Sequence, residues 1–132
     1  MDTLTITRPL AGAAIVAVLD RPHLARYTLG DQALEAEILD LFVQQAPITI
    51  GRLQGATDEK QWREAAHTLK GSARAIGACR LAACAEECER NNRMGHGASV
   101  ETCLAHVAAA YDEVAALIDQ ICKTAGRQLG RR

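Results

Sequence analysis

The sequence predicts an all-α protein, an antiparallel up-down four-helix bundle with an additional short N-terminal helical segment. Three observations lead there. Hydrophobic types make up 48% of the 132 residues but aromatics only 3%, so the core must come from Leu, Ile, Val and Ala. That mixture suits close-packed helices better than a β-sandwich, which leans on β-branched and aromatic residues. Apolar residues recur in steps of three and four in several segments. The connections between those segments are short, which makes successive helices antiparallel neighbours. At this length one domain with a single core is expected.

The N-terminal stretch "PLAGAAIVAVLD", residues 9–20, is apolar for about ten residues, the length of a signal h-region. Asp2 precedes it, Asp20, Arg21 and Pro22 follow it, and no A-x-A cleavage site appears. It is too short to span a bilayer. Residues 1–19 are therefore expected to pack on the domain, which takes up residues 20–125.

The first long helix starts at "GDQALEAEILDLFVQQAP". Gly30 interrupts what precedes and Asp31 is a good N-cap. Leu34, Ile38, Leu41, Phe42 and Gln45 form the expected inward stripe, and Pro47 is expected to kink or interrupt the helix before it resumes from Ile48 to Leu53. Asp58 followed by Gln61 resembles a capping box for a second helix, from about Glu59 to Ile76, with Gly77 placed to end or bend it. The third, "CRLAACAEECERNN", puts Leu81, Ala85 and Cys88 on one face. A polar loop, "NNRMGHGAS", leads to Ser99 as a cap. Val100, Leu104, Val107, Tyr111, Val114, Leu117 or Ile118, and Ile121 then mark a long amphipathic helix ending near Ala125 and Gly126. Residues 126–132 read as a disordered basic tail.

A net charge of −1 gives no global basic field for nucleic acid or an anionic membrane. Five cysteines, an odd number, without a convincing secretory signal point to free thiols in a reducing cytoplasm. The short chain and its start at Met1 suggest a free-standing monomer, with the apolar N-terminal segment as a possible dimer contact.

The stretch that carries chemistry is "AHTLKGSARAIGA", residues 66–78. On a helical wheel of about 100° per residue, Trp62, Ala65, Leu69, Ser72, Ala73 and Ile76 cluster opposite His67 and face the core. Lys60, Arg63, Glu64, Lys70, Gly71 and Arg74 fall on the side of His67, with Ala75 and Ala78 at the edge of the same patch. The histidine thus sits in a locally basic solvent face on a chain that is net acidic. Gly71 costs a helix roughly 1 kcal/mol relative to alanine; close approach of a partner would account for it. A neutral imidazole at pH 7 is nucleophilic and can take a phosphoryl group on a ring nitrogen. Lys70 at i+3 can balance the added charge, with Arg63 and Arg74 as weaker helpers. Glu64 at i−3 is the only carboxylate close in sequence. Trp62 reads as core packing, and His23 and His96 as ordinary surface or loop residues.

"HTLKGSARAIGA" resembles the signature of histidine-containing phosphotransfer (HPt) domains, roughly H-x-L-K-G-[small]-[small]-x-x-x-G-A, matched by His67, Leu69, Lys70, Gly71, Ser72, Gly77 and Ala78. "LGDQALEAEILDLFVQQAP" and "CRLAACAEECE", with its Leu81 and terminal acidic residue, resemble the flanking helices of the family. The resemblance spans about residues 20–122. It implies a four-helix bundle that relays phosphoryl groups between receiver-domain aspartates, from a hybrid histidine kinase to a response regulator. By motif position His67 would be the phosphoacceptor, Lys70 would hold the phosphoryl group, Gly71 would give the receiver access, and Ser72 would fill a small position against the neighbouring helix. The resemblance also implies a carrier without autonomous kinase activity and without a cofactor of its own, the Mg²⁺ belonging to the receiver. Ala73, where serine is common, and the cysteine-rich third helix depart from the family.

Other readings make different demands. A histidine kinase dimerisation domain usually carries an acidic residue directly after the histidine and a proline a turn later; here Thr68 follows, and no G-x-x-x-x-G-K-[ST] loop is present. A metal-binding bundle would bring Cys84 and Cys88 against Cys103 and His106, although buried cysteine in an Ala-rich core explains the same residues. A silent interaction module would not need His67, Lys70 and Gly71 together.

Overall fold

The computed structural model describes residues 7–9, 15–91 and 97–129. Two three-residue strands, β1 (Thr7–Pro9) and β2 (Ile15–Ala17), pair antiparallel with Arg8 opposite Val16. Five helices follow: α1 (Arg21–Thr28), α2 (Gln32–Gln54), α3 (Glu59–Ile76), α4 (Cys79–Arg90) and α5 (Gly97–Leu129). Helices α2 to α5 form a bundle in which α2 packs on α3, α3 on α4, α4 on α5, and α5 back on α2. The additional short helical segment expected near the N-terminus is α1, and the described residues before it include the strand pair. Val18 and Leu19, which follow β2, are buried in the core.

Local chemistry fixes the helix ends. Asp20 caps α1 by accepting from the His23 amide at 3.1 Å, and Asp31 caps α2 by accepting from the Leu34 amide at 3.1 Å. Asp58 accepts from the Gln61 amide at 2.8 Å, while Gln61 Oε1 reaches back one residue further than a standard capping box, to the Thr57 amide at 2.8 Å. Gly77 ends α3 in the left-handed region at φ +85°, and a Cβ there would lie 2.7 Å from the Asp20 carbonyl oxygen. The Asp20 amide donates to the Gly77 carbonyl at 2.7 Å, so the chain entering α1 is tied to the α3–α4 turn. Glycine is required there twice over, by conformation and by space.

Two expectations about α2, its inward stripe and an interruption at Pro47, fail for identifiable reasons. Its buried face is Glu35, Leu39, Phe42, Ala46, Ile50 and Leu53, and Leu34, Leu41 and Gln45 are exposed. Glu35 turns inward because α1 supplies partners: Arg21 Nη2 lies 3.0 Å from its Oε1, and the Thr28 hydroxyl 3.4 Å from its Oε2. That rotates the apolar stripe away from the one suggested by counting hydrophobic residues. The helix also continues through Pro47. A proline leaves the carbonyl four residues earlier without its donor, here Val43, and the Tyr111 hydroxyl on α5 donates to that oxygen at 2.9 Å. A third difference lies at the C-terminus, where α5 passes Gly126 and reaches Leu129, beyond the end expected at Ala125 and Gly126. The helix begins at Gly97, two residues before the expected cap at Ser99.

Tyr111→Phe should lower stability by about 1–2 kcal/mol by orphaning the Val43 carbonyl. In the Pro47→Ala background, where the alanine amide can serve that oxygen, the same change should cost measurably less. Urea unfolding of the four proteins measures both; equal costs in the two backgrounds would sink this account of the proline.

Candidate functional site

His67 lies mid-way along α3, with its side chain 69% exposed. The buried positions of the same helix, Trp62, Ala65, Ala66, Leu69, Ala73 and Ile76, hold the opposite face in the core. His67 Nδ1 lies 2.9 Å from Glu89 Oε2 on α4. Lys70 Nζ contacts the other oxygen of the same carboxylate, Oε1, and the lysine side chain is only 16% exposed. One carboxylate thus bridges the imidazole and the ammonium. With Nδ1–H donating to Glu89, the lone pair is left on Nε2.

Glu89 had no assigned role in the sequence because it lies 22 positions from His67. A signal was nonetheless present: it is a carboxylate roughly as far after Gly77 as His67 is before it, and a helical hairpin turning at Gly77 brings such positions to similar heights.

The other expected site residues divide. Lys60, Arg63, Glu64, Gly71, Arg74 and Ala75 are exposed on α3 as the wheel suggests. Arg74 Nη2 is paired with Glu86 on α4 at 3.2 Å, and Arg63 lies 3.9 Å from Glu59. A Cβ at Gly71 would meet nothing within 4 Å, so the surface one turn beyond the histidine is open. Two placements are corrected. Ala78 is fully buried, because it follows the left-handed Gly77 and turns into the core rather than continuing the α3 surface. Ser72 is exposed instead of core-facing, its hydroxyl folded back on the Thr68 and Leu69 carbonyls at 3.1 and 3.2 Å. Beside His67, Ile48, Gly51 and Arg52 of α2 and Gly55 just after it line an open groove, none of them expected from the sequence.

A second imidazole provides a useful contrast. His106 on α5 has Nδ1 3.1 Å from Glu87 Oε1, so α4 offers a glutamate to a histidine on each side. In the sequence, alanines fill the i+3 and i+4 positions after His106, where His67 has Lys70 and Gly71. An imidazole–carboxylate pair alone therefore does not distinguish the α3 site; the bridging lysine and the open glycine do.

Among the described residues no group of three or more His, Cys, Asp or Glu gathers to hold a metal ion. Cys88 and Cys103 are buried in the core, and burial pushes the Cys84 and Cys88 thiols upward. Neutral buried thiols are poor metal ligands. Trp62 is buried as expected, but its Nε1 also donates to the Cys88 and Asn91 carbonyls at 2.8 and 3.1 Å. His23 is partly buried rather than on the surface, its ring edge against Tyr27, with Nε2 buried and unpartnered among the described residues. His96 lies outside the described residues. No described helix is long and apolar enough to cross a membrane.

The Glu89 carboxyl is held below its ordinary value of 4.5, first by the Lys70 hydrogen bond, which outweighs the upward effect of burial, and then by the hydrogen bond with His67. A depressed carboxyl stabilises the fold above its unfolded value, and that contribution is lost as pH falls through the folded one. Glu89→Gln should therefore be less stable than wild type at neutral pH, with the gap closing as pH drops below the ordinary carboxyl value of 4.5 and through the depressed folded one. Urea titrations across that range measure the gap; one that stays constant would mean the bridge contributes nothing.

The Hpt family model, described as Hpt domain, matches residues 37–123, more than half of the chain and inclusive of α3 with His67. No curated protein and no solved structure matches the chain. The helical bundle, the motif and the matched span agree, and the chain belongs to the Hpt domain family, the histidine phosphotransfer modules of two-component phosphorelays.

Proposed function

We propose that His67 is the phosphoacceptor, and that the protein shuttles a phosphoryl group between the aspartates of receiver domains, those of a hybrid histidine kinase and of response regulators. The observation that supports this best is the geometry around the ring. Nδ1 is engaged by Glu89 at 2.9 Å, the His67 side chain is 69% exposed, Lys70 stands on the same carboxylate, and Gly71 leaves the approach clear.

On this reading the Nε2 lone pair attacks the phosphorus of a receiver aspartyl phosphate. An N–P bond forms, the P–O bond to the aspartate breaks, and the aspartate leaves as a carboxylate. The ring becomes cationic, with its Nδ1–H still donating to Glu89, which stabilises the charge developed during attack. Lys70 is close enough to turn from Glu89 towards the new phosphoryl oxygens. Transfer to a second receiver reverses these steps. Mg²⁺ is held by the acidic pocket of the receiver, and this chain supplies no cofactor. The exposed Lys60 and Arg63 lie where they can meet that acidic partner, Glu64, Arg74 and Ala75 complete the docking face, and complementary charge favours encounter. The chain acts as a carrier without kinase activity of its own.

Incubation with a panel of phosphorylated receivers should move acid-labile, base-stable label onto wild type and not onto His67→Ala. Label retained by folded His67→Ala, or a His67→Gln protein that restores signalling, would overturn the assignment. Gly71→Ala should separate stability from function: it should raise unfolding free energy by roughly 0.5–1 kcal/mol while slowing transfer from receiver to His67. A Gly71→Ala protein that is more stable and transfers at the wild-type rate would show that the glycine does not serve docking.

A further inference from the structure

The indole of Trp62 lies on the opposite side of α3 from His67, yet it reaches the segment that carries the histidine's carboxylate partner. The last turn of a helix leaves carbonyls without intrahelical donors. At the end of α4, where Asn91 is the extended C-cap, the buried Trp62 Nε1–H donates to the Cys88 carbonyl at 2.8 Å and the Asn91 carbonyl at 3.1 Å. Glu89 is the residue directly after Cys88, inside this held turn. Asn91 is restrained from a second side, its Nδ2 donating to Cys103 Sγ on α5 at 3.0 Å. Helix ends fray unless such partners are present. The same helix therefore grips α4 twice, through the indole on the backbone and through His67 and Lys70 on the Glu89 carboxylate.

We infer that Trp62 is a positioning residue for phosphotransfer: by capping the last turn of α4 it holds the Glu89 carboxylate against His67 Nδ1, and so keeps the lone pair on Nε2. This rests on the reading of His67 as phosphoacceptor and adds how its tautomer is set. A histidine in water favours the Nε2–H form, whose Nε2 carries a proton instead of a lone pair. A frayed α4 end would return His67 towards that form and remove the nucleophile from the exposed edge.

Trp62→Phe keeps an aromatic ring in the core and deletes only the donor. Asn91→Ala loosens the same turn from outside the core and decides the matter where Trp62→Phe does not fold. Tyr111→Phe is the matched control, because it removes a hydroxyl-to-carbonyl bond elsewhere in the bundle, from Tyr111 to Val43. The first readout is the ¹⁵N spectrum of the His67 ring, taken well below the melting temperature of each protein. Wild type and Tyr111→Phe should show predominantly Nδ1–H; Trp62→Phe, and to a lesser extent Asn91→Ala, should shift towards Nε2–H. The second readout is the rate of label transfer from a receiver, which should fall by roughly tenfold in Trp62→Phe, the scale of losses on removing an outer-shell support. A wild-type tautomer in both loosened variants, or an equal shift in Tyr111→Phe, would overturn the inference. The ring spectrum needs no phosphoryl donor, so a shifted tautomer with no label on wild type would count against the relay and leave the positioning of His67 intact.

Discussion

The turn at Gly77 sets the register on which the site depends. Its backbone is left-handed, and the Asp20 carbonyl sits where a Cβ would be, so the chain can reverse there only with glycine. His67 lies ten positions before that turn and Glu89 twelve after it. At a rise of about 1.5 Å per residue, the two stand some 15 and 18 Å from the corner, close enough in height for side chains to meet across α3 and α4. Lys70 and Arg74 reach across the same seam to Glu89 and Glu86. Shifting the reversal by one residue would rotate one helix by about 100° relative to the other and separate these partners.

Charge at the site is more balanced than a wheel of α3 alone suggests. Two of the four cations on that face, Lys70 and Arg74, are matched by glutamates of α4. The local field that a partner meets is therefore set by the exposed Lys60 and Arg63, by Arg52 from α2, and by a lysine already held beside the imidazole. Holding Lys70 in advance lowers the entropy lost when a long side chain is recruited to new charge. The pair at His106 and Glu87 lacks that lysine and remains a surface contact.

What was legible in the sequence is what depends on neighbours along one helix. The limits of α3, its inward face around Trp62 and Leu69, the exposure of His67 and the stop at Gly77 all follow from three- and four-residue spacing and from capping residues. What depends on a second element was misplaced. Glu35 is buried because Arg21 and Thr28 come from α1; Pro47 is tolerated because Tyr111 comes from α5; Glu89 meets His67 because α4 folds back. Ser72 was drawn inward by its position on an ideal wheel, whereas its hydroxyl is satisfied by carbonyls of its own helix and needs no core partner. Ala78 was drawn outward by continuing a helix that has already ended. A periodicity counts residues on one cylinder, and these features belong to the contacts between cylinders.

The treatment of the cysteines has a consequence for the chemistry the protein can tolerate. Cys88 and Cys103 are sealed in the core, and burial, with a nearby carboxylate in each case, raises the thiols of Cys79, Cys84, Cys88 and Cys122. Oxidants attack the thiolate, not the thiol. At neutral pH these four sulfurs are kept in their unreactive form, so a chain rich in cysteine behaves towards peroxide much as a chain with few. The fold that presents His67 thus carries these four thiols in environments that favour the protonated form.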